Sequence, residues 1–200
     1  MVYEIELKAW ATDHETLRQA LLKHAQFECE YVKEDTYYLP GPKAGGNVPA
    51  SGVRLRRETV RYSDGDAATM LLTYKSKERR EEIEINSEHE YAITGDENIP
   101  VIEALFMLMG LERAYTKTKR GFAFRHGDIT AELSLVEGLG WFIELEILRD
   151  NDAAATLEAA RASLKTLLHT LGIAEENIET RYYSELLNTI RAAKTTKKDG

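Results

Sequence analysis

At 200 residues the chain is long enough to bury one sizeable core and short enough to be a single domain. A net charge of -8 argues against a general nucleic-acid binder, which needs a broad excess of Lys and Arg, but leaves room for one small polyanion held by a local basic cluster. Cys29, the only cysteine, excludes an intrachain disulfide and a cysteine-rich zinc site.

In chain order, the first strand is expected around Tyr3–Lys8, where Tyr3, Ile5 and Leu7 alternate with Glu4, Glu6 and Lys8. Glu4 and Glu6 also break the apolar run that a secretory leader would need there. A Thr-x-x-Glu pattern from Thr12 to Glu15 predicts a capped helix carrying Leu17, Leu21 and Ala25. Val32–Leu39 reads as the second strand. Pro40 to Ser51, rich in Pro and Gly, is a long irregular segment suited to a lid or to a plain hairpin loop. Val53 and Leu55 then alternate with Arg54 and Arg56, Leu72 and Tyr74 with Thr73 and Lys75, and Ile83 and Ile85 with Glu82 and Glu84. Ser63-Asp64-Gly65-Asp66 is the turn inside this run.

Pro100 suits the first turn of a second helix, with Ile102, Leu105, Phe106 and Met109 as its stripe and Gly110 as its stop. This apolar stretch, Val101 to Leu111, contains Glu103 and is too short to span a bilayer, so a cytoplasmic protein with no membrane partner is expected. Strands at Tyr115–Arg125 and Ile129–Val136 flank a His126-Gly127-Asp128 turn. Ile143, Leu145 and Ile147 alternate with Glu144 and Glu146 in the eighth strand. Asp150 or Asp152 is expected to cap a long helix holding Leu157, Leu164, Leu168 and Leu171, and a last helix is expected over 180–193. Residues 1–193 then form one domain and 194–200 a disordered basic tail.

The charged strand faces carry the functional information. Glu4/Glu6, Glu82/Glu84 and Glu144/Glu146 pair like charges two residues apart, as do Arg54/Arg56 and Lys117/Lys119. Such neighbours start about 7 Å apart and repel by about 1–2 kcal/mol at an effective dielectric near 20. A face that only meets water gains nothing from this, whereas a metal or phosphate site does. If the amphipathic helices cover the apolar faces, the charged ones line the interior of an eight-stranded barrel wide enough for one small ligand. Carboxylates there suit Mg²⁺ or Mn²⁺, and Lys and Arg suit phosphate oxygens. The scattered histidines lack metal-ligand spacing, and Gly41–Gly46 lacks the ending of a phosphate-binding loop.

Glu4-Ile5-Glu6-Leu7-Lys8 resembles the Glu-x-Glu-x-Lys signature of the CYTH superfamily, the triphosphate tunnel metalloenzymes, which include class IV adenylyl cyclases and thiamine triphosphatases. The resemblance continues in order through Asp35–Tyr38, Val53–Arg56, Leu72–Lys75, Arg80–Glu84, Lys117–Arg120, Val136–Gly140, Phe142–Glu146 and Tyr183–Leu187. It implies an α+β fold, an eight-stranded antiparallel β-barrel tunnel with helices packed outside. It further implies divalent metal on Glu4, Glu6, Glu144 and Glu146, and triphosphate on Lys8, Arg54, Arg56, Lys75, Lys117 and Lys119. Lys8 and Lys75 are the expected catalytic cations, with Glu82 and Glu84 in support.

Two positions depart from the cyclase-like branch. Ser134 stands where that branch usually has Asp, with Glu132 two residues away as a substitute carboxylate, and Lys117/Lys119 stand where Lys-x-Arg is more usual. The expected activity is conversion of ATP to cyclic AMP and pyrophosphate. A triphosphatase hydrolysing inorganic tripolyphosphate, thiamine triphosphate or a nucleoside triphosphate, and a non-catalytic nucleotide or polyphosphate binder, are the alternatives. The expected partner is a small-molecule triphosphate, with the chain a monomer or a homodimer.

Overall fold

Eight strands carry the alternating pattern in the computed structural model, which describes residues 2–42, 52–62 and 65–196. They are β1 (Tyr3–Trp10), β2 (Gln26–Pro40), β3 (Val53–Tyr62), β4 (Gly65–Arg80), β5 (Ile83–Ile93), β6 (Leu111–His126), β7 (Ile129–Val136) and β8 (Gly140–Arg149). Every pairing is antiparallel, and the order β1-β5-β4-β3-β2-β6-β7-β8 closes on itself as β8 returns to β1. Closure removes the open edges that a sheet would otherwise expose.

The apolar strand faces turn outward under helices. Ile5 and Leu7 of β1, Ile83 and Ile85 of β5, Leu133 of β7 and Ile143, Leu145 and Ile147 of β8 pack against α1 (His14–His24) and α3 (Ala154–Thr170). Leu17 and Leu21 come from α1; Leu157, Leu164, Leu167 and Leu168 come from α3. On another part of the barrel, α2 (Ile99–Leu108) lays Phe106, with Ile99 and Ile102, over Tyr38, Leu55 and Leu111. With the outer faces occupied in this way, strand alternation sends the charged side chains inward.

The fourth helix, α4 (Tyr183–Thr196), does not simply cover the outside. Tyr183 and Leu186 pack with Trp10, Val136 and Phe142, and Tyr183 also lines the barrel interior. The helix runs three residues past its expected end. Its first turn is fixed by Glu185, which accepts a hydrogen bond from the Tyr182 amide at 2.6 Å and an Arg79 guanidinium at 2.6 Å.

Helix starts differ from their expected positions. Asp13, not Thr12, caps α1: the helix begins at His14, so Asp13 stands at the cap position and its carboxylate accepts from the Thr16 amide at 3.0 Å. Neither Asp150 nor Asp152 caps α3; Asn151 accepts from the Ala153 amide and the Thr156 hydroxyl instead. The His126-Gly127-Asp128 turn joins β6 to β7, with Gly127 at φ 59°. Residues 43–51, most of the Pro40–Ser51 segment, Ser63 and Asp64 of the expected hairpin turn, and 197–200 of the expected tail lie outside the described residues. Among the described residues no helix is long and apolar enough to cross a membrane.

Candidate functional site

The barrel interior is divided by charge. Seven glutamates and eight Lys or Arg side chains line a cavity of about 100 Å³, so it is neither a plain anion pocket nor a plain cation site. Strand order sorts them. Glu132 of β7, Glu144 and Glu146 of β8, Glu4 and Glu6 of β1, and Glu84 and Glu88 of β5 occupy four consecutive strands. Lys75 and Lys77 of β4, Arg54 and Arg56 of β3, Lys33 of β2, and Lys117 and Lys119 of β6 occupy the other four. An acidic wall therefore faces a basic wall. Lys8 on the acidic side and Asp35 on the basic side are the exceptions.

Ion pairs tie the walls together. Lys75 lies 2.7 Å from Glu4 and 2.5 Å from Glu88, and Lys8, 2% exposed, lies 2.9 Å from Glu84. Lys119 pairs with Glu144 and Lys33 with Glu132, which also accepts from the Tyr31 hydroxyl at 2.9 Å. On the basic side Asp35, itself 2% exposed, takes two bonds from Arg56 at 2.7 and 3.0 Å and sits 3.3 Å from Lys117. Burial alone would raise the Asp35 pKa, but Lys117 and Arg56 hold it well below the usual carboxylate range. The same contest, won by Lys119, keeps Glu144 at about 2.

Two carboxylates are left out. Glu6 and Glu146 form no ion pair or hydrogen bond among the described residues. Burial, then the neighbouring Glu144 and Glu84, push Glu6 well above its ordinary range. Burial, then Glu4 and Glu132, raise Glu146 to about 8. Arg54 Nε, Asn86 Oδ1 and the Tyr183 hydroxyl are also buried without a hydrogen-bond partner. Over the Tyr183 ring stand the ammonium groups of Lys8 at 4.7 Å, Lys117 at 5.0 Å and Lys119 at 5.7 Å.

Comparison with known proteins agrees with this geometry. The model of the CYTH domain matches residues 2–183. The chain belongs to the CYTH family. Among solved structures, the PH1819 protein of Pyrococcus horikoshii OT3 is 26% identical, with a TM-score of 0.74 over 93% of this chain and 98% of that one. A provisionally named adenylate cyclase of Vibrio parahaemolyticus is 21% identical, with a TM-score of 0.68 over the same shares. A provisionally named adenylyl cyclase of Hippeastrum, described as having a dominant triphosphatase activity, is 17% identical, with a TM-score of 0.57 over 96% of each chain. Those two likenesses establish the fold. No curated protein matches the chain.

Within this CYTH barrel, Glu4, Glu6, Lys8, Arg54, Arg56, Lys75, Glu84, Lys117, Lys119, Glu132, Glu144 and Glu146 all line one cavity. Glu82 does not. It occupies the two-residue turn between Arg80 and Ile83, where Glu81 adopts φ 53° and strand alternation no longer sets direction. Its carboxylate instead pairs with Arg161 at 2.7 Å and Lys165 at 3.1 Å on α3. Lys33, Lys77, Glu88, Tyr37 and Tyr183 join the lining without having been singled out from sequence. Lys77 and Glu88 continue the two-residue period of Lys75 and Glu84, so a longer reading of β4 and β5 would have found them.

The donor set suits a hard divalent cation: carboxylates crowd one wall, and two of them form no ion pair among the described residues. Among the described residues no three acidic side chains are already gathered at ligand distances, since Lys75 and Lys119 hold Glu4 and Glu144. Ligation there requires those lysines to turn away from Glu4 and Glu144.

Proposed function

We propose that the tunnel is a divalent-metal-dependent site for a triphosphate, and that it converts ATP to cyclic AMP and pyrophosphate. The observation that carries this reading is the acidic wall facing the basic wall, with Glu6 and Glu146 of the acidic wall unpaired among the described residues. Glu4, Glu6, Glu144 and Glu146 would hold Mg²⁺ or Mn²⁺, with Glu84 and Glu132 beside them. When bound, the ion supplies Lewis-acid polarisation of phosphate oxygens and a template for the chain of phosphates.

The remaining work belongs to this chain's cations. Arg54 and Arg56 offer two-pronged contacts to non-bridging oxygens, and Lys75, Lys117 and Lys119 offer point charges. Asp35 holds Arg56 and Lys117 in place from behind. Lys8, inside the acidic wall, faces the reacting phosphate. In cyclisation the ribose 3′-oxygen bonds to the α-phosphorus, the bond to the bridging oxygen of pyrophosphate breaks, and the hydroxyl proton passes to water. Basic side chains placed where negative charge grows on pyrophosphate favour that transition state.

One residue favours a second reaction. Ser134, buried and without a hydrogen-bond partner, stands where the cyclase-like branch has a carboxylate. A triphosphatase, in which water bonds to the terminal phosphorus, the bond to the diphosphate oxygen breaks and orthophosphate is the product, fits the same walls. Incubation with ATP and Mg²⁺ or Mn²⁺, followed by product identification, decides. Cyclic AMP with pyrophosphate supports the first reading, orthophosphate alone the second, and no turnover with either metal rejects both as reactions of ATP.

A further inference from the structure

The outside of the barrel is covered unevenly. α1 and α3 seal the outward residues of β1, β7, β8 and the start of β5, whereas α2 covers only part of the β3-β4-β5 face. From Ile99 to Leu111 every residue except Glu103 is apolar, and Glu103 turns inward to accept a hydrogen bond from the Tyr38 hydroxyl. Phe106 is buried against the barrel on the same side. The other side of the helix is bare: Val101, Leu105, Met107, Leu108 and Met109 are 50–83% exposed. Next to it, Leu72 pairs with Tyr91 and Tyr74 with His89, and these four line an open recess of about 500 Å³ on the outer face of β4 and β5. Tyr91 is 68% exposed. An aliphatic ridge therefore stands beside a recess with aromatic walls.

We infer that a second copy of this chain covers this face, the ridge of each copy lying in the recess of the other. The area is sufficient. The five ridge residues and Tyr91 expose about 700 Å² per copy, more than the largest bare patch of about 300–600 Å² on a typical monomer. Burying that area on both copies reaches the range of about 1,200–2,000 Å² in which stable interfaces fall. A ridge and a recess side by side on one molecule form a self-complementary patch, which a two-fold axis closes into a dimer. Charge points to the same occupant. With a net charge of -8 on each chain, copies repel over most of their surfaces, and the ridge brings no like charge to the contact. Glu88 and Glu90, at the edge of the recess, are already engaged by Lys75 and Arg54. A lipid surface is a poor match, because Thr94 to Glu112 contains no Lys or Arg to meet headgroups.

Sedimentation velocity of the wild-type chain at about 50 µM is the test, at low and at high NaCl. The expected mass is twice the 22.7 kDa of one chain. Salt screens the repulsion between the copies and leaves apolar burial intact, so the dimer should hold or tighten as NaCl rises. Leu105→Glu/Leu108→Glu, both exposed and so neutral to the fold, should weaken association at least about 100-fold with an unchanged circular dichroism spectrum. Leu22→Glu, at an exposed apolar position on α1, should leave the dimer intact. A monomeric wild type overturns the inference, as does a species larger than a dimer or a dimer that salt dissociates. So does a dimer that survives the α2 substitutions or is lost with Leu22→Glu. The wild-type mass and its salt response decide without any variant.

Discussion

Glu146 and Glu6 are placed against the ordinary preferences of carboxylates. With Glu146 raised to about 8 by burial and by Glu4 and Glu132, the folded chain keeps a proton that the unfolded chain releases near 4.5. Folding is therefore penalised increasingly as pH rises from about 4.5 to about 8. Glu146→Gln removes that penalty: at pH 8 the metal-free variant should melt at a higher temperature than the wild type, with its Mn²⁺ affinity at least about tenfold lower. A lower melting temperature in the metal-free variant would contradict the assignment. Asp35 is the opposite case. Asp35→Ala leaves Arg56 and Lys117 buried without their counter-charge and should cost about 3–5 kcal/mol in urea unfolding at pH 7. A loss below about 1 kcal/mol would show that the pair is not the anchor of the basic wall.

At the scale of elements, α4 brings the Tyr183 ring into the tunnel lining. Arg79 and Glu185 fix its first turn, the Glu179 amide donates to the Lys8 carbonyl at 2.8 Å, and Tyr183 reaches the three lysines. Tyr183→Ala should cost about 3–5 kcal/mol of stability, as for other large buried rings, and Tyr183→Phe much less. Equal losses in thermal unfolding would place the stabilisation in the hydroxyl instead of the ring. Periodicity made all eight strands legible, since alternation of apolar and charged residues is set by the two-residue period alone. The approach of α4 to the tunnel was not legible, because an amphipathic helix has the same pattern whether its stripe covers a sheet or stops a barrel end. Glu82 was misplaced because a two-residue turn ends the alternation that an unbroken strand would continue. The like-charge pairs on single strands were visible in the sequence. That acidic strands neighbour acidic ones depends on the order β7-β8-β1-β5, which only closure of the barrel reveals.

The whole molecule joins two opposed pH dependences. Asp35 and Glu144 sit below their ordinary values of 3.8 and 4.5, so their stabilisation is present above those values and is lost as pH falls through the lowered pKa values. Glu6 and Glu146 act the other way, reducing stability as pH rises above 4.5. The metal-free chain should therefore be most stable in mildly acidic solution. Saturating Mn²⁺ should raise its melting temperature more at pH 8 than at pH 5, since ligation requires the carboxylates without their protons. Scanning calorimetry across pH, with and without Mn²⁺, reads both limbs, and an equal Mn²⁺ effect at the two pH values would count against ligation by Glu6 and Glu146. In the proposed function, one wall takes metal so that the other can take triphosphate. The most direct measurement is electron paramagnetic resonance of Mn²⁺ titrated with the protein at pH 8 in the presence of ATP, for the wild type and for Glu4→Gln/Glu6→Gln. Protein-bound Mn²⁺ is expected in the wild type, with an affinity at least about tenfold weaker in the variant. Equal Mn²⁺ binding by the two proteins, with the variant folded, would contradict it.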